Sequence, residues 1–142
     1  MKEINLRLLK EKKLDEVLSL TSKLNPETDL EILRKRQIEM FKFENYRCFG
    51  VYENEQLLAI SSGWITVRLY SGKQLEIDNV IVNPLIQSKG IGSKFIKLIE
   101  DWAKENDCMT VELNTYTQNS RSHKFYFNQG YHILGFHFQK QI

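Results

Sequence analysis

Val80-Ile81-Val82-Asn83-Pro84-Leu85-Ile86-Gln87-Ser88-Lys89-Gly90-Ile91-Gly92-Ser93 is the stretch on which the reading of this chain turns. The β-branched run Val80-Ile81-Val82 stops at Asn83-Pro84, a pair that breaks regular structure. Beyond the loop, Gly90 and Gly92 open a segment in which Ile91, Phe95, Leu98, Ile99 and Trp102 recur at helical spacing. Lys94, Lys97, Asp101 and Lys104 take the opposite face, so an amphipathic helix is predicted from Gly90 to about Asn106. The first turn of a helix carries N–H groups without internal partners, and the helix dipole places about half a positive charge there. Glycines let an anion come close to that backbone. The segment from Gln87 through Ser88, Lys89, Gly90, Ile91 and Gly92 to Ser93 therefore has the chemistry of a phosphate cradle, with Lys89 adding a point charge. Each charge-assisted hydrogen bond there is worth about 1.5–3 kcal/mol.

Two familiar glycine loops do not fit. A Walker loop ends in Gly-Lys-Ser/Thr, whereas Lys89 precedes the glycines. A dinucleotide loop requires a third glycine where this chain has Phe95. Taken alone, Gly-x-Gly before a helix is equally compatible with a tight loop-to-helix junction that binds nothing.

Working outward, a strand is predicted at about Ile4 to Leu9 and a helix from about Leu14 to Leu24. Asn25-Pro26 breaks the chain, and a second helix follows from about Asp29 to Phe43, with Asp29 as cap and Leu30, Leu33 and Ile38 as its buried stripe. The period then changes to two. Cys48 to Glu53, Leu57 to Leu69 and Leu75 to Val82 read as successive strands. After the long helix come a strand at Thr110 to Asn114, a helix from Arg121 to Gln129 closed by Gly130, and one or two final strands within His132 to Gln141. The expected class is α/β, a mixed, mostly antiparallel sheet flanked by helices in a single domain over residues 1–142.

Bulk properties narrow the options. At 142 residues and 42% hydrophobic, the chain has the makings of one continuous core without disulfide or metal. Two cysteines and an N-terminus without targeting features lead to an expected cytoplasmic setting. No apolar run approaches the roughly 20 residues that span a bilayer, so no membrane partner is expected. A net charge of +2 gives no case for nucleic acid. Cys48 and Cys108 read as buried small hydrophobes, and His123, His132 and His137 lack metal-ligand spacing with either. No metal is expected.

The loop Gln87-Ser88-Lys89-Gly90-Ile91-Gly92 matches Gln/Arg-x-x-Gly-x-Gly/Ala, and Asn119, Ser122, Phe125-Tyr126 and Gly130-Tyr131 follow in order. In both motifs the chain resembles the GNAT superfamily of N-acetyltransferases, over about Leu75 to Tyr131. The resemblance implies the acyl-CoA N-acyltransferase fold with splayed central strands, and acetyl-CoA as co-substrate with its pyrophosphate on the backbone of Gln87 to Ser93. It implies that Val80 and Val82 pair their main chains with the pantetheine arm. Asn119 is then expected to contact the cofactor from its other side, with Lys124 near its phosphates. The partner implied is a small-molecule or peptide amine, and similar folds commonly form homodimers.

Acyl transfer to an amine needs a neutral amine, a stabilised oxyanion and a proton for the leaving thiolate. A lysine-like amine, with pKa ~10.4, is neutral in only about one molecule in 2,500 at pH 7, a handicap of about 4.6 kcal/mol. A general base relieves part of it. Glu76 and Asp78 are the candidates, two apart on the strand that leads to the loop and so on one face. Glu76 stands eleven residues before Gln87, the spacing of the base in the histone-acetylating branch of the family. The alternatives are that both carboxylates are ordinary solvent-facing residues on an amphipathic strand, or that they bind a cationic substrate without abstracting a proton. Tyr126 is the expected general acid, with a core tyrosine beside Phe125 as the alternative. A main-chain N–H near Val80 or Ile81 is the expected oxyanion donor. Trp64, Tyr70 and Tyr46 are candidates for an apolar slot or for ordinary sheet positions. The expected activity is direct acetyl transfer to a primary amine; the alternative is a non-catalytic acyl-CoA-binding or regulatory module.

Overall fold

Alternation with period two between residues 46 and 82 produces three long strands, β2 (Tyr46–Glu53), β3 (Gln56–Arg68) and β4 (Gly72–Val82), paired antiparallel in sequence order. The computed structural model describes residues 3–87 and 89–142; Ser88, one of the expected cradle residues, lies outside them. β1 (Asn5–Leu8) pairs antiparallel with β2, and β5 (Thr110–Leu113) lies on the far side of β4, giving the order β1-β2-β3-β4-β5. The helices are α1 (Leu14–Thr21), α2 (Leu30–Phe41), α3 (Ile91–Glu105) and α4 (Ser120–Asn128). None of them is long and apolar enough to cross a membrane. The chain divides into two compact units, Met1–Glu112 and Leu113–Ile142.

In the first unit the sheet is covered on both faces. Val17 and Leu20 of α1 join Tyr46, Cys48, Tyr52, Ile60 and Ile81 in one buried cluster, with Met40 and Phe41 of α2 packed against it. On the other face, the Phe49 and Trp102 rings meet edge to face at 4.9 Å, and Phe95, Ile96, Ile99 and Ala103 of α3 are buried. Gly63 is needed here, because a Cβ would sit 2.7 Å from Phe49 Cε2 and 2.9 Å from Leu75 Cδ1. In α2 the expected stripe is corrected. Asp29 caps the helix, its Oδ1 accepting from Glu31 N at 2.9 Å, but Leu30 is exposed, Leu33 and Ile38 are half-buried, and the buried residue is Gln37. A polar residue is tolerated there because its Nε2 donates to the Tyr46 hydroxyl at 2.9 Å.

Two irregularities in β4 matter for the site. Ile60 pairs with Ile81 and Ser62 with Asp78, so Ser61 alone faces both Asn79 and Val80, a β-bulge. Asn79 takes the left-handed conformation at φ 52°, which asparagine tolerates better than most residues, and its N–H donates to Asp78 Oδ1 at 2.8 Å. β5 starts beside the start of β4, where Met109 N donates to Lys73 O at 2.7 Å, and lasts four residues against eleven. At about 3.3 Å per residue, β5 spans about 13 Å of a strand about 36 Å long. Among the described residues, the second half of β4 has no strand on its outer side.

In the second unit, Asn119 Oδ1 accepts from Ser122 N at 3.2 Å and starts α4. Gly130, at φ 91°, ends it, and Tyr131 N returns to Tyr126 O at 3.0 Å. The strands expected within His132 to Gln141 are absent: residues 132–142 hold no strand and are exposed throughout. A strand is defined by the chain it pairs with, and these residues have none in the sheet of this chain.

Candidate active site

The expected cradle spans the end of β4, the loop after it and the start of α3. Asn83 fixes the exit: its N–H donates to Leu58 O at 2.8 Å, and its Oδ1 accepts from Leu85 N at 3.1 Å, opening one 3-10 turn over Pro84–Ile86. Gln87 reaches back, its Nε2 donating to Val82 O at 3.3 Å. Gly90 is the N-cap of α3 at φ 74°, a left-handed conformation that costs other L-residues about 1–2 kcal/mol. A Cβ at this position would meet nothing within 4 Å. Unlike the Ser, Thr or Asp usual at such positions, Gly90 offers no side-chain oxygen to the first-turn amides. No capping side chain from Gly90 covers the mouth of the helix. Lys89 and Gly90 are exposed, and Ile91 and Gly92 half-buried, at the mouth of the helix.

The register places the candidate acids. Tyr46 pairs with Trp64 and Trp64 with Glu76, while Cys48 pairs with Ser62 and Ser62 with Asp78. Directly paired residues share a face, so Tyr46, Trp64 and Glu76 form one row across three strands, and Cys48, Ser62 and Asp78 the next. Glu76 is half-buried and Asp78 exposed. Trp64 lies 4.8 Å from the Tyr46 ring and 5.7 Å from Phe43, centroid to centroid. Tyr70 is not part of this row; it is exposed and donates to Glu112 Oε1 at 2.6 Å. Tyr46 itself is taken up internally, its hydroxyl bonded to Gln37 and, at 2.8 Å, to Ser62 Oγ. Burial pushes its phenol far above the usual range and the Cys48 thiol up to about 12. Cys48 is buried as expected; Cys108 is only half-buried.

In the second unit, Tyr126 is half-buried between Phe125 and Tyr131, at ring distances of 5.1 and 5.6 Å. Burial raises its phenol to about 12. Lys124 is exposed on the same helix. The Asn119 side chain uses its oxygen as the helix cap, so its amide nitrogen is the part that remains for a ligand. Sequence reasoning missed Gln37, the bulge at Asn79 and the row that sets Trp64 beside Glu76. Only the row had a visible signal, the alternation in β3 and β4, and it required the register to be known.

Residues 14–131 match the model of the Acetyltransferase (GNAT) family. The chain belongs to that family. A curated relative, the aminoalkylphosphonate N-acetyltransferase of Salmonella typhimurium, is 30% identical over 67 residues, which are 47% of this chain and 44% of that protein. The match thus spans less than half of that relative's length. Among solved structures, an aminoglycoside N-acetyltransferase, AAC(6')-Iy in complex with CoA, superposes with a TM-score of 0.84 at 14% identity, covering 100% of this chain and 96% of that one. A possible acetyltransferase from Clostridium difficile 630 does so at 0.84 and 16% identity, covering 98% and 97%. At such identities these two establish the fold, a mixed five-strand sheet with flanking helices.

Proposed function

We propose that the protein moves an acetyl group from acetyl-CoA directly to a cationic primary amine. The observation that carries this reading is the outer edge of β4. From Asp78 onward it has no strand beside it among the described residues, and it runs straight into a helix whose N-cap is a left-handed glycine. An extended amide-bearing chain ending in a diphosphate suits that surface: Val80 and Val82 offer strand-like pairing, and Gln87 to Ser93 offer amides to the anion. Acetyl-CoA supplies that shape and an acetyl group already activated as a thioester. The bulge interrupts the ladder at Asn79 and Val80, beside which a main-chain N–H would serve the oxygen that gains charge.

On the face that carries Trp64, Glu76 and Asp78 set negative charge beside an indole, a combination that favours an organic cation. Glu76 takes the proton of the ammonium, through water, and Tyr126 returns one to the departing thiolate. A phenol held neutral at about 12 keeps its proton across the working range. Asn119 and Lys124 complete the contacts to the co-substrate.

The test is release of free CoA thiol when purified protein meets acetyl-CoA and a panel of primary amines. Amino sugars and aminoalkylphosphonates head the panel, because relatives are named for them. Release with at least one cationic amine is expected; no release with any, together with no heat on titrating acetyl-CoA, overturns the reading. Glu76→Gln should slow turnover most at the acid end of the pH profile, where the amine is most protonated. It should converge on the parent near the amine pKa, ~10.4. A constant ratio across pH removes the base role.

A further inference from the structure

Within the first unit, the sheet face that carries Glu76 changes charge across a wall of rings. Phe41, Tyr46, Trp64 and Phe43 touch in that order, with centroids 5.6, 4.8 and 5.7 Å apart. Glu76 is the cross-strand partner of Trp64 at one end of the wall. At the other end, Phe41 and Phe43 line a cavity of about 210 Å³ shared with Lys10, Lys42, Arg47 and Glu44. Phe43 belongs to both, since it is 54% exposed, meets Trp64 and also walls the cavity. The segment that carries it is pinned. Arg47 Nη1 donates to Glu44 O at 2.7 Å and to Tyr46 O at 2.8 Å. Asn45 Nδ2 donates to Ile65 O at 3.1 Å, and Ile65 N to Asn45 O at 2.9 Å.

The charges at the two ends have no partners of their own. Arg7, Lys13, Arg34 and Lys97 each have a carboxylate at 3.3 Å or less. Among the described residues, Glu76, Asp78, Lys10, Lys42 and Arg47 make no ion pair. A lone surface lysine is ordinary. Around this cavity, however, three cations stand against the single carboxylate of Glu44, which leaves two positive charges unanswered. Its size suits one anionic group and not a whole substrate.

We infer that the acceptor is bipolar: a primary amine at Glu76, an apolar stem along Trp64 and Phe43, and an anionic group in the cavity beside Lys10 and Lys42. The amine end rests on the acetyl-transfer reading; the anion end does not. A monoamine without an anion would leave the two lysines unmatched, and a dication would be repelled by them. Strands lie about 4.8 Å apart, so the track from Glu76 past the rings to the cavity is about 10–14 Å long. At about 3.3–3.6 Å per residue, an extended peptide of three or four residues with free ends has that length. Short peptides and amines with a distant terminal carboxylate are therefore the class of acceptor that fits.

The probes are trialanine and tetra-alanine, each as the free acid and as the C-terminal amide. With acetyl-CoA and the full chain, kcat/KM for the acids should exceed that for the amides about five-fold or more. The double variant Lys10→Ala, Lys42→Ala should bring that ratio to about one. Should the variant not fold, salt decides on the unaltered protein: the ratio should shrink as ionic strength rises from about 0.05 to 0.5 M. A ratio near one in the unaltered protein overturns the inference, as does a ratio that survives in the folded variant or at high salt. If other amines are acetylated and neither peptide is, this inference falls and acetyl transfer stands. If no amine releases CoA, acetyl transfer falls, and calorimetric titration of trialanine decides the anion end by itself. Weaker binding of the amide, and of the acid to the double variant, upholds it; no heat, or equal affinities, overturns it.

Discussion

Tyr46 and Tyr126 lie in different units, and burial raises both phenols well above the usual value. In the sheet unit, Tyr46 is 5% exposed and its hydroxyl is held by Gln37 and Ser62. In the C-terminal unit, Tyr126 packs between two rings, and burial is the whole cause of its shift. A buried hydroxyl bonded on both sides organises a core; one that keeps its proton without such bonds is available to give it away. The contrast extends to the surroundings. Among the described residues, all the buried ones lie in the first unit and none between 113 and 142.

The sharpest way to break this comparison is to remove each hydroxyl. Tyr126→Phe should lower kcat by ten-fold or more, within the ~10²–10⁴ span of acid–base catalysis, with acetyl-CoA affinity and thermal midpoint unchanged. Unchanged turnover would return Tyr126 to the class of Tyr46. Next in size, Gly90→Ala forces a side chain into a left-handed position with open space around it, so strain and not collision should be felt. If the strain of about 1–2 kcal/mol falls on binding, the KM for acetyl-CoA rises about 5- to 30-fold. A change in kcat alone would show that the loop serves chemistry and not binding.

Tyr46→Phe should do the converse of Tyr126→Phe. Gln37 and Ser62 lose a partner, stability falls by about 1–3 kcal/mol in urea titration, and kcat stays within two-fold. A further effect is alkaline. Burial holds the Cys48 thiol and the Tyr52 phenol at about 12 in the fold, against about 8.5 and 10 when unfolded. A raised pKa in the folded state contributes in full below the unfolded value and is lost as pH climbs through the folded one. Urea midpoints should therefore be level to about pH 8 and decline toward pH 12, with Cys48→Ala flattening the first part of the decline.

The sequence disclosed the fold where period and caps agreed. Asp29, Gly90 and Gly130 mark helix ends as expected, and the alternation from Cys48 to Val82 gives the three long strands. It misled where local pattern depends on distant partners. Leu30 fits a helical stripe but faces solvent, while Gln37, polar and so passed over, is buried because Tyr46 meets it from another element. The strand pattern after His132 is genuine in composition yet unpaired in the chain, since pairing is not a property of the strand itself. The turn into α3 at Gly90 was readable because a glycine at a helix start has a local signature. The place of Trp64 beside Glu76 was not, because it follows from register.

Register also gives Asn79 its weight. Before it, the even-numbered side chains Glu76 and Asp78 turn toward the α1 and α2 side; beyond it, odd-numbered Ile81 does so instead, joining Ile60 in the core. One supernumerary residue thus reverses the parity of the strand between the candidate acids and the loop that precedes α3. Excising Asn79 would leave the net charge untouched, yet would rotate Val80–Val82 by half a turn and aim their side chains the wrong way. The spacing between Glu76 and Gln87 is therefore a phase as well as a length, and no single insertion or deletion within it can preserve both ends.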